Sequence, residues 1–400
     1  NFTMHEKNPD VAVRKEAFTS LYSTFHDFGN TISTSYTNNV KALTTEAEMR
    51  HYDSALAMTL YEDDVPQSVY DSLLDSVHRH LPLLHRYYAK KKELLELPEQ
   101  HMYDVYLPLI KGTAKTYTFA EAKELCIASV APLGEEYQTI YRKAFDERWM
   151  DVYPREGKAG GAYSSGSYES RPYILLNFNG TLDSVFTLAH EMGHSMHSYY
   201  AKHNNEGLYY NYTIFAAEVA STFNELLLLE YLTKHAKTEE EKRELLDHHL
   251  DSFKSTVYRQ TMFAEFEKVV HARIEAGESL AGEDYDRLYL ELNRKYFGES
   301  MISDEEIAYE WMRIPHFYSN FYVYKYATGF TAATVLSQKV LHGDQKDVDA
   351  YFTFLKDGAH HFPIEQLRMA GCDMTDPKTV DSALAVFGDL VDKIEAIETL

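Results

Sequence analysis

The sequence predicts a mainly α-helical protein with one small antiparallel β-sheet beside a histidine-bearing helix. Three observations carry this. Glycine and proline, the residues that interrupt helices, number only 18 and 11 among 400. Apolar residues recur three and four apart over long stretches, the period of one helix face. A single segment, 151–180, departs from that pattern, with glycine-rich turns and a strand-like run at 173–178.

Taken in order, "PDVAVRKEAFTSLYSTFHDFGNTI" places an Asp before a helical run, as a capping residue would stand. "SVYDSLLDSVHRHLPLLHRYYAKKKELL" keeps the helical period throughout. "TFAEAKELCIASVAPLGEEYQTIYRKAF" reads as two helices broken at Pro132-Leu133-Gly134. After the glycine-rich segment comes "SVFTLAHEMGHSMHSYY", a helix whose only breaker is Gly193 and whose cap is Thr181 or Asp183. "NYTIFAAEVASTFNELLLLEYL" is the next helix. "KTEEEKRELLDHHLDSFKSTVYRQTMFAEFEKVVHARIEAG" reads as long helices, and "DPKTVDSALAVFGDLVDKIEAIE" as the last. No internal repeat or low-complexity linker divides the chain.

Composition limits the function. Hydrophobic residues make up 44% and charged residues 25%, an ordinary globular balance. The formal charge of −23 argues against binding a phosphate backbone and for a protein that neither enters nor coats a membrane. The longest apolar run, "ELLLLEYL", is far too short to span a bilayer. Two cysteines, Cys126 and Cys372, exclude a disulfide framework and suit a reducing compartment, so a cytoplasmic location is expected. The opening "NFTMHEKNPD" shows no signal peptide, and a first residue other than Met suggests a fragment or processed product.

The chemistry concentrates at residues 187–200, "TLAHEMGHSMHSYY". His190, Glu191 and His194 make an H-E-x-x-H match. Residues four apart on a helix lie on one face about 6 Å apart in rise, so the two imidazoles can chelate one ion, with zinc the usual occupant. His197 competes for this role, since it is three residues from His194. His190 and His197 are about 10 Å apart along the axis, so all three cannot share one ion. The pair flanking Glu191 is preferred because it alone places a carboxylate beside the metal as a general base, which leaves His197 a supporting or packing role. A catalytic zinc needs a third protein ligand and an open position. The stretch lacks the downstream glycine and histidine of the longer motif, so that ligand should come from another helix. Glu218 is first choice, because Ala216, Ala217 and Ala220 beside it allow tight packing and a buried carboxylate needs a cation. Glu225, seven residues on along the same face, is the alternative and otherwise a supporting group.

With these residues in view, the chain resembles the M3-type zinc oligopeptidases, most closely the bacterial oligoendopeptidase F branch. The resemblance rests on the stretch 151–198, on "FAAEVASTFNE" and on "RIPHFYSNFYVYKYATG", and the helical pattern between them extends it over essentially the whole chain. It implies an elongated, zincin-like helical fold with a deep cleft, and a further helical region ahead of this chain. It also implies one Zn²⁺ per chain on His190, His194 and Glu218, with Glu191 as the catalytic carboxylate. The substrates it implies are short unstructured peptides, cut at internal bonds. From the third stretch it implies that a histidine and one or two tyrosines bind the substrate carbonyl and the oxyanion. His316 and Tyr324 are first choices, Tyr318 the next, and Tyr322 a substrate contact. A core-packed aromatic stripe is the competing reading for each tyrosine. The substrate backbone is expected to pair as an added strand with Gly160, Gly161, Ala162 and Tyr163, where glycine permits close approach.

Residues 1–110 are expected to form a helical cleft wall, 111–236 the catalytic core, and 237–400 a helical part supplying the His/Tyr segment. Two rival functions stay open: a related dipeptidyl carboxypeptidase, and a peptide-binding relative without turnover. The remaining histidines, among them His78, His80, His85, His248, His249, His360 and His361, have no carboxylate at motif spacing and read as surface or core residues.

Overall fold

The computed structural model describes residues 2–109 and 115–398. The expected boundary between residues 110 and 111 lies outside them. The helices in chain order are α1 (Phe2–Glu6), α2 (Val11–Asp27), α3 (Gly29–Met49), α4 (Ala55–Tyr61), α5 (Gln67–Leu94), α6 (Phe119–Ser129), α7 (Glu135–Asp146) and α8 (Leu182–Asn204). They continue with α9 (Ile214–His235), α10 (Glu239–Phe253), α11 (Arg259–Glu275), α12 (Gly282–Phe297), α13 (Tyr324–His342), α14 (Gln345–Asp357), α15 (Pro363–Met369) and α16 (Pro377–Glu395). Three short strands, β1 (Met150–Asp151), β2 (Tyr163–Ser165) and β3 (Tyr173–Leu175), lie between α7 and α8.

Local chemistry sets many of these boundaries. Asp10 caps α2, its carboxylate accepting the Ala12 N–H at 2.9 Å. Thr118 and Glu121 form a reciprocal capping box at α6. Between α6 and α7 the chain reverses through Gly134 at φ +87°, a conformation that glycine adopts without strain. The long stretch after residue 237 is not uniform: Lys254–Tyr258 winds as a π-helical turn between α10 and α11.

Contacts sort the chain into two compact units. The first comprises Asn1–Lys111, Leu246–Ala327 and Leu384–Leu400. Its α5 buries Tyr70, Leu73, Val77, Leu81, Leu84 and Tyr88, one face at three and four spacing, where α11 and α12 pack. Glu310 is buried there and accepts from Arg259 (2.6 Å), Arg313 (2.8 Å), Tyr22 (2.9 Å) and Tyr289 (2.6 Å). Partners of this kind offset the cost of burying a charged carboxylate.

The second unit comprises Gly112–Leu245 and Thr328–Ala383. Its centre is α9, in which Phe215, Ala216, Val219, Ala220, Phe223, Leu227 and Leu228 are buried on nearly all sides. Helices α6 and α8 pack on α9, and α14 packs on α8. The sheet has the order β1-β3-β2. It is mixed, and here the expectation of an antiparallel sheet is corrected. β2 pairs antiparallel with β3 (Ser164 opposite Ile174), but β1 pairs parallel with it (Met150 opposite Ile174). The cause is topological. β3 inserts between the two earlier strands, and the reversal from β2 to β3 turns it back along the direction of β1.

Candidate active site

Helix α8 begins at Thr181, whose hydroxyl accepts the Ser184 N–H at 3.2 Å, so Thr181 and not Asp183 is the cap. The helix then carries His190 and His194 onto one face, with ring centroids 4.8 Å apart. From α9, Glu218 reaches both. Its Oε2 lies 3.6 Å from His190 Nε2 and its Oε1 3.9 Å from His194 Nε2. One donor atom from each of His190, His194 and Glu218 falls within 4.8 Å of the others, and all three side chains are half-buried.

Gly193 is what brings the helices this close. A Cβ on it would sit 2.6 Å from both the Ala220 carbonyl oxygen and the Ser221 Cα. Only a hydrogen fits, so the motif's fourth position sets the distance from the two histidines to Glu218. Sequence reading saw Gly193 only as a weak point in a helix. Behind Glu218, α13 passes at van der Waals distance, and a Cβ built on Gly329 would meet the Glu218 Cβ at 3.5 Å.

Glu225 orients the first histidine. Its Oε1 accepts from His190 Nδ1 at 2.5 Å, which keeps a proton on Nδ1 and turns Nε2 toward Glu218. Glu191 is 5% exposed, receives the Ser164 N–H from β2, and has no hydrogen-bond partner for Oε2 among the described residues. The Ser164 hydroxyl also bonds Ser195 on α8 at 2.8 Å, so the strand is pinned to the helix by backbone and side chain. No sequence signal singled out Ser164; its role comes from strand register.

The electrostatics ask for a cation. Burial pushes the Glu191 carboxyl up to about 7, and neighbouring Glu218 and Glu225 add to this. Burial likewise raises Glu218. Burial alone would lower His190, but Glu225, Glu218 and Glu191 together hold it up at about 9. Burial and the neighbouring His190 push His194 down to about 3. Three carboxyls around two imidazoles thus carry excess negative potential, which protonation of His190 relieves. Two imidazole nitrogens and a carboxylate are a zinc donor set, and a divalent ion would meet the same demand with both rings neutral.

His197 does not join the cluster. It is buried and stacked on Tyr212, with centroids 3.7 Å apart and planes at 7°, and burial pushes it down to about 3. Tyr212 donates to the His194 carbonyl at 3.3 Å, so this stack props the far side of the histidine turn. The strand residues expected to meet substrate lie in the same unit. Gly160, Gly161 and Ala162 lead into β2, which starts at Tyr163 and forms an edge of the sheet. Tyr163 is exposed, and the Asn177 side chain steadies the approach by donating to the Ala159 and Gly161 carbonyls at 2.9 and 2.8 Å.

The His/Tyr segment belongs to the first unit. A 3-10 turn, Pro315–Ser319, holds His316 and Tyr318 exposed. His316, Tyr322 and Tyr326 form one aromatic group, with His316–Tyr322 and His316–Tyr326 centroids at 5.9 Å and Tyr322–Tyr326 at 5.3 Å. Tyr318 packs its ring edge on Tyr36 at 5.9 Å. Tyr324, the first choice from sequence, is only 1% exposed and tilts against Tyr70 at 5.1 Å, with its phenol held well above the usual range by burial.

Comparison with known proteins identifies the family. The family model described as "Peptidase family M3" matches residues 4–386. Oligopeptidase PepF of Bacillus subtilis is 45% identical over 397 residues, covering 99% of this chain and 59% of that protein. An oligoendopeptidase F homolog of Lactococcus lactis is 43% identical, covering 99% and 66%. The crystal structure of oligoendopeptidase-F from Enterococcus faecium superposes with a TM-score of 0.81 at 37% identity, covering 98% of this chain and 65% of that one. The chain thus spans somewhat less than two thirds of these relatives. With a match over nearly its whole length, and two histidines, a glutamate and a flanking carboxylate gathered on α8 and α9, the chain belongs to peptidase family M3.

Proposed function

We propose that the protein is a zinc-dependent endopeptidase that cuts internal bonds of short, unstructured peptides. The observation that carries this reading is the gathering of His190, His194 and Glu218 donor atoms within 4.8 Å beside the buried Glu191 carboxyl. The names of the relatives, oligopeptidase and oligoendopeptidase, support the substrate class. Two free, buried cysteines suit a reducing setting, and we place the protein in the cytoplasm.

Zinc in such a site supplies Lewis acidity, lowering a water's pKa toward about 7 and polarising a carbonyl. His190 and His194 would hold it through Nε2, with Glu218 as third ligand and Glu225 keeping the His190 proton on Nδ1. Glu191 takes the proton of the attacking water and returns it to the leaving amine. Its buried, half-satisfied carboxyl suits a group that must both accept and donate at neutral pH. The edge strand β2, with residues 160–163, receives the extended peptide backbone. His316 with Tyr322 and Tyr326 donates to the carbonyl oxygen as negative charge develops. Tyr324 is given the packing role that its burial supports.

Mass spectrometry of a mixed peptide pool tests this reading, using the zinc-loaded protein with and without a chelator. Internal cleavage of free and C-terminally amidated peptides alike is expected, abolished by chelation and restored by zinc. Loss of cleavage on amidation would replace the reading with dipeptide release from the C-terminus. Binding without turnover in the zinc-loaded protein would overturn it. Glu191→Gln should retain zinc and lose at least ~10²-fold in kcat, the low end for an acid–base group.

A further inference from the structure

The segment between the Pro315–Ser319 turn and α13 carries two consecutive non-glycine residues in the left-handed region, Asn320 at φ +35° and Phe321 at φ +54°. Asn320, at ψ +108°, lies outside the left-handed helical well that asparagine tolerates, and a phenylalanine at positive φ is an outlier in itself, so both persist only where their surroundings hold them. The surroundings here are specific. The Phe321 N–H donates to Oε1 of Glu267 on α11 at 2.8 Å. Glu267 is fully buried, 54 residues away in sequence, and has no hydrogen-bond partner for Oε2 among the described residues. The Phe321 ring lies against His271, one turn further along α11, at 4.4 Å, and against Tyr70 at 6.1 Å. On the outer side, Asn39 donates to the Asn320 side-chain oxygen at 2.9 Å.

A buried glutamate with one oxygen spent on a single backbone N–H is an expensive arrangement for a helix to keep. Among the described residues nothing cationic is paired with it, and burial pushes its carboxyl up to about 8. Its hydrogen bond among the described residues holds the amide of the strained residue. That residue is followed at once by Tyr322 and stands five residues after His316, the two rings that stack at 5.9 Å with an interplanar angle of 11°. Without the tie, Asn320 and Phe321 would relax toward ordinary backbone angles and the rings on either side would be re-aimed.

We infer that Glu267 is a positioning residue, a buried strut that fixes the left-handed Asn320–Phe321 turn and thereby the mutual orientation of His316, Tyr322 and Tyr326. The inference rests on the reading that these rings bind the substrate carbonyl. It predicts a role for an acceptor oxygen and not for a negative charge, since a neutral acid or an amide oxygen can accept the same N–H.

The test compares Glu267→Gln, which keeps an acceptor, with Glu267→Met, which keeps the length and removes it. Two readouts are used on the zinc-loaded protein: steady-state kinetics, and amide hydrogen exchange followed by mass spectrometry on peptides covering 315–323. Leaving a buried N–H unpaired costs about 1–3 kcal/mol, so exchange in that segment should quicken by roughly 5- to 150-fold in the Met variant. Peptides from α8 and α9 should be unchanged, as should zinc content. The kcat should fall more than KM rises, and the Gln variant should restore both readouts to within about threefold. If Glu267→Met does not fold, Glu267→Asp, which withdraws the oxygen by one methylene, is expected to give the same pattern. Unchanged exchange at 315–323 in a folded variant, or equal loss in the Gln and Met variants, overturns the strut. Faster exchange with unchanged kinetics would keep the strut and instead remove the His/Tyr group from catalysis.

Discussion

Glu218 and Glu225 sit seven residues apart on one face of α9, and the structure gives them different partners. Glu218 approaches Nε2 of both histidines, while Glu225 takes the opposite nitrogen of His190. Removing the first should therefore lower metal occupancy, and removing His197, which packs on Tyr212 and Phe354, should not. Elemental analysis of folded Glu218→Ala and His197→Ala checks this; equal zinc loss in both would put the ion on another face. These residues were legible because chelation imposes a spacing that a helix can meet in few ways. Which tyrosine is buried was not. In "YVYKYATG" they alternate, and alternation looks the same whichever ring is buried. The turn into α13 then sorts them: Tyr322 and Tyr326, four apart, share a face with His316, and Tyr324 points into the core against Tyr70. Tyr324→Phe is accordingly expected to keep its kcat. Tyr322→Phe or Tyr326→Phe should lose on the order of 10-fold to 10²-fold, the range for a donor to a developing oxyanion. A full-rate Tyr322→Phe/Tyr326→Phe double variant would remove the phenols from the mechanism.

At the scale of elements, the site depends on how closely two helices can approach. α9 contributes alanines and Ser221 to the contact, and α8 contributes Gly193. The alanines around Glu218 announced tight packing in the sequence. Gly193 did not, because a glycine inside a helix pattern has several possible reasons and only the facing backbone distinguishes them. Gly193→Ala would force the Cβ to within 2.6 Å of the α9 backbone, so one helix must shift. Overpacking of this kind costs about 1–3 kcal/mol. The expected signature is a lower thermal midpoint together with weaker zinc affinity, measured by competition with a chromogenic chelator. Destabilisation with unchanged affinity would show that the histidine-to-Glu218 distance is set elsewhere. The sheet shows the complementary limit. The run at 173–178 was readable as a strand, but the parallel pairing of β1 was not, because two residues, Met150 and Asp151, carry no period. The π-helical turn at Lys254–Tyr258 was hidden for a related reason: one extra residue per turn leaves the apolar pattern on either side intact.

Over the whole molecule, each compact unit draws on separated stretches of the chain, an arrangement invisible in a sequence without linkers. Helical content was legible throughout, since it rests on local periodicity, whereas the buried titratable groups were not, since burial is a property of the assembled unit. These groups set how stability depends on pH, and they act in opposite directions. His197, His249 and His271 are pushed down by burial to about 3, 3 and 4. The unfolded chain, with imidazoles near ~6.5, binds more protons than the native one below that value, so stability falls as pH drops through this window. Glu265 extends the loss. Although burial opposes it, bonds from His78, Lys295 and Tyr296 hold it at about 2, so its contribution is present above ~4.3 and disappears toward pH 2. Glu6 and Glu267 work the other way. Burial raises them to about 7 and 8, so the native state holds protons that the unfolded chain has released above ~4.3. Their contribution is complete below ~4.3 and is lost progressively from there until pH passes 7 and 8, while a chain of net charge −23 repels itself increasingly. The three histidines outweigh the two carboxyls below about pH 6 and cease to matter above ~6.5. Calorimetric midpoints of the zinc-loaded protein should therefore peak near pH ~6 and decline on both sides, at roughly 2–4 °C per kcal/mol for units of this size. Glu267→Gln, which cannot ionise, should flatten the decline between about pH 6.5 and 8 and steepen the rise between ~4.3 and ~6, because the Glu267 contribution is lost over the whole span from ~4.3 to about 8. An alkaline decline of wild-type steepness in that variant would mean that Glu267 is already ionised, or already neutral, across the whole range.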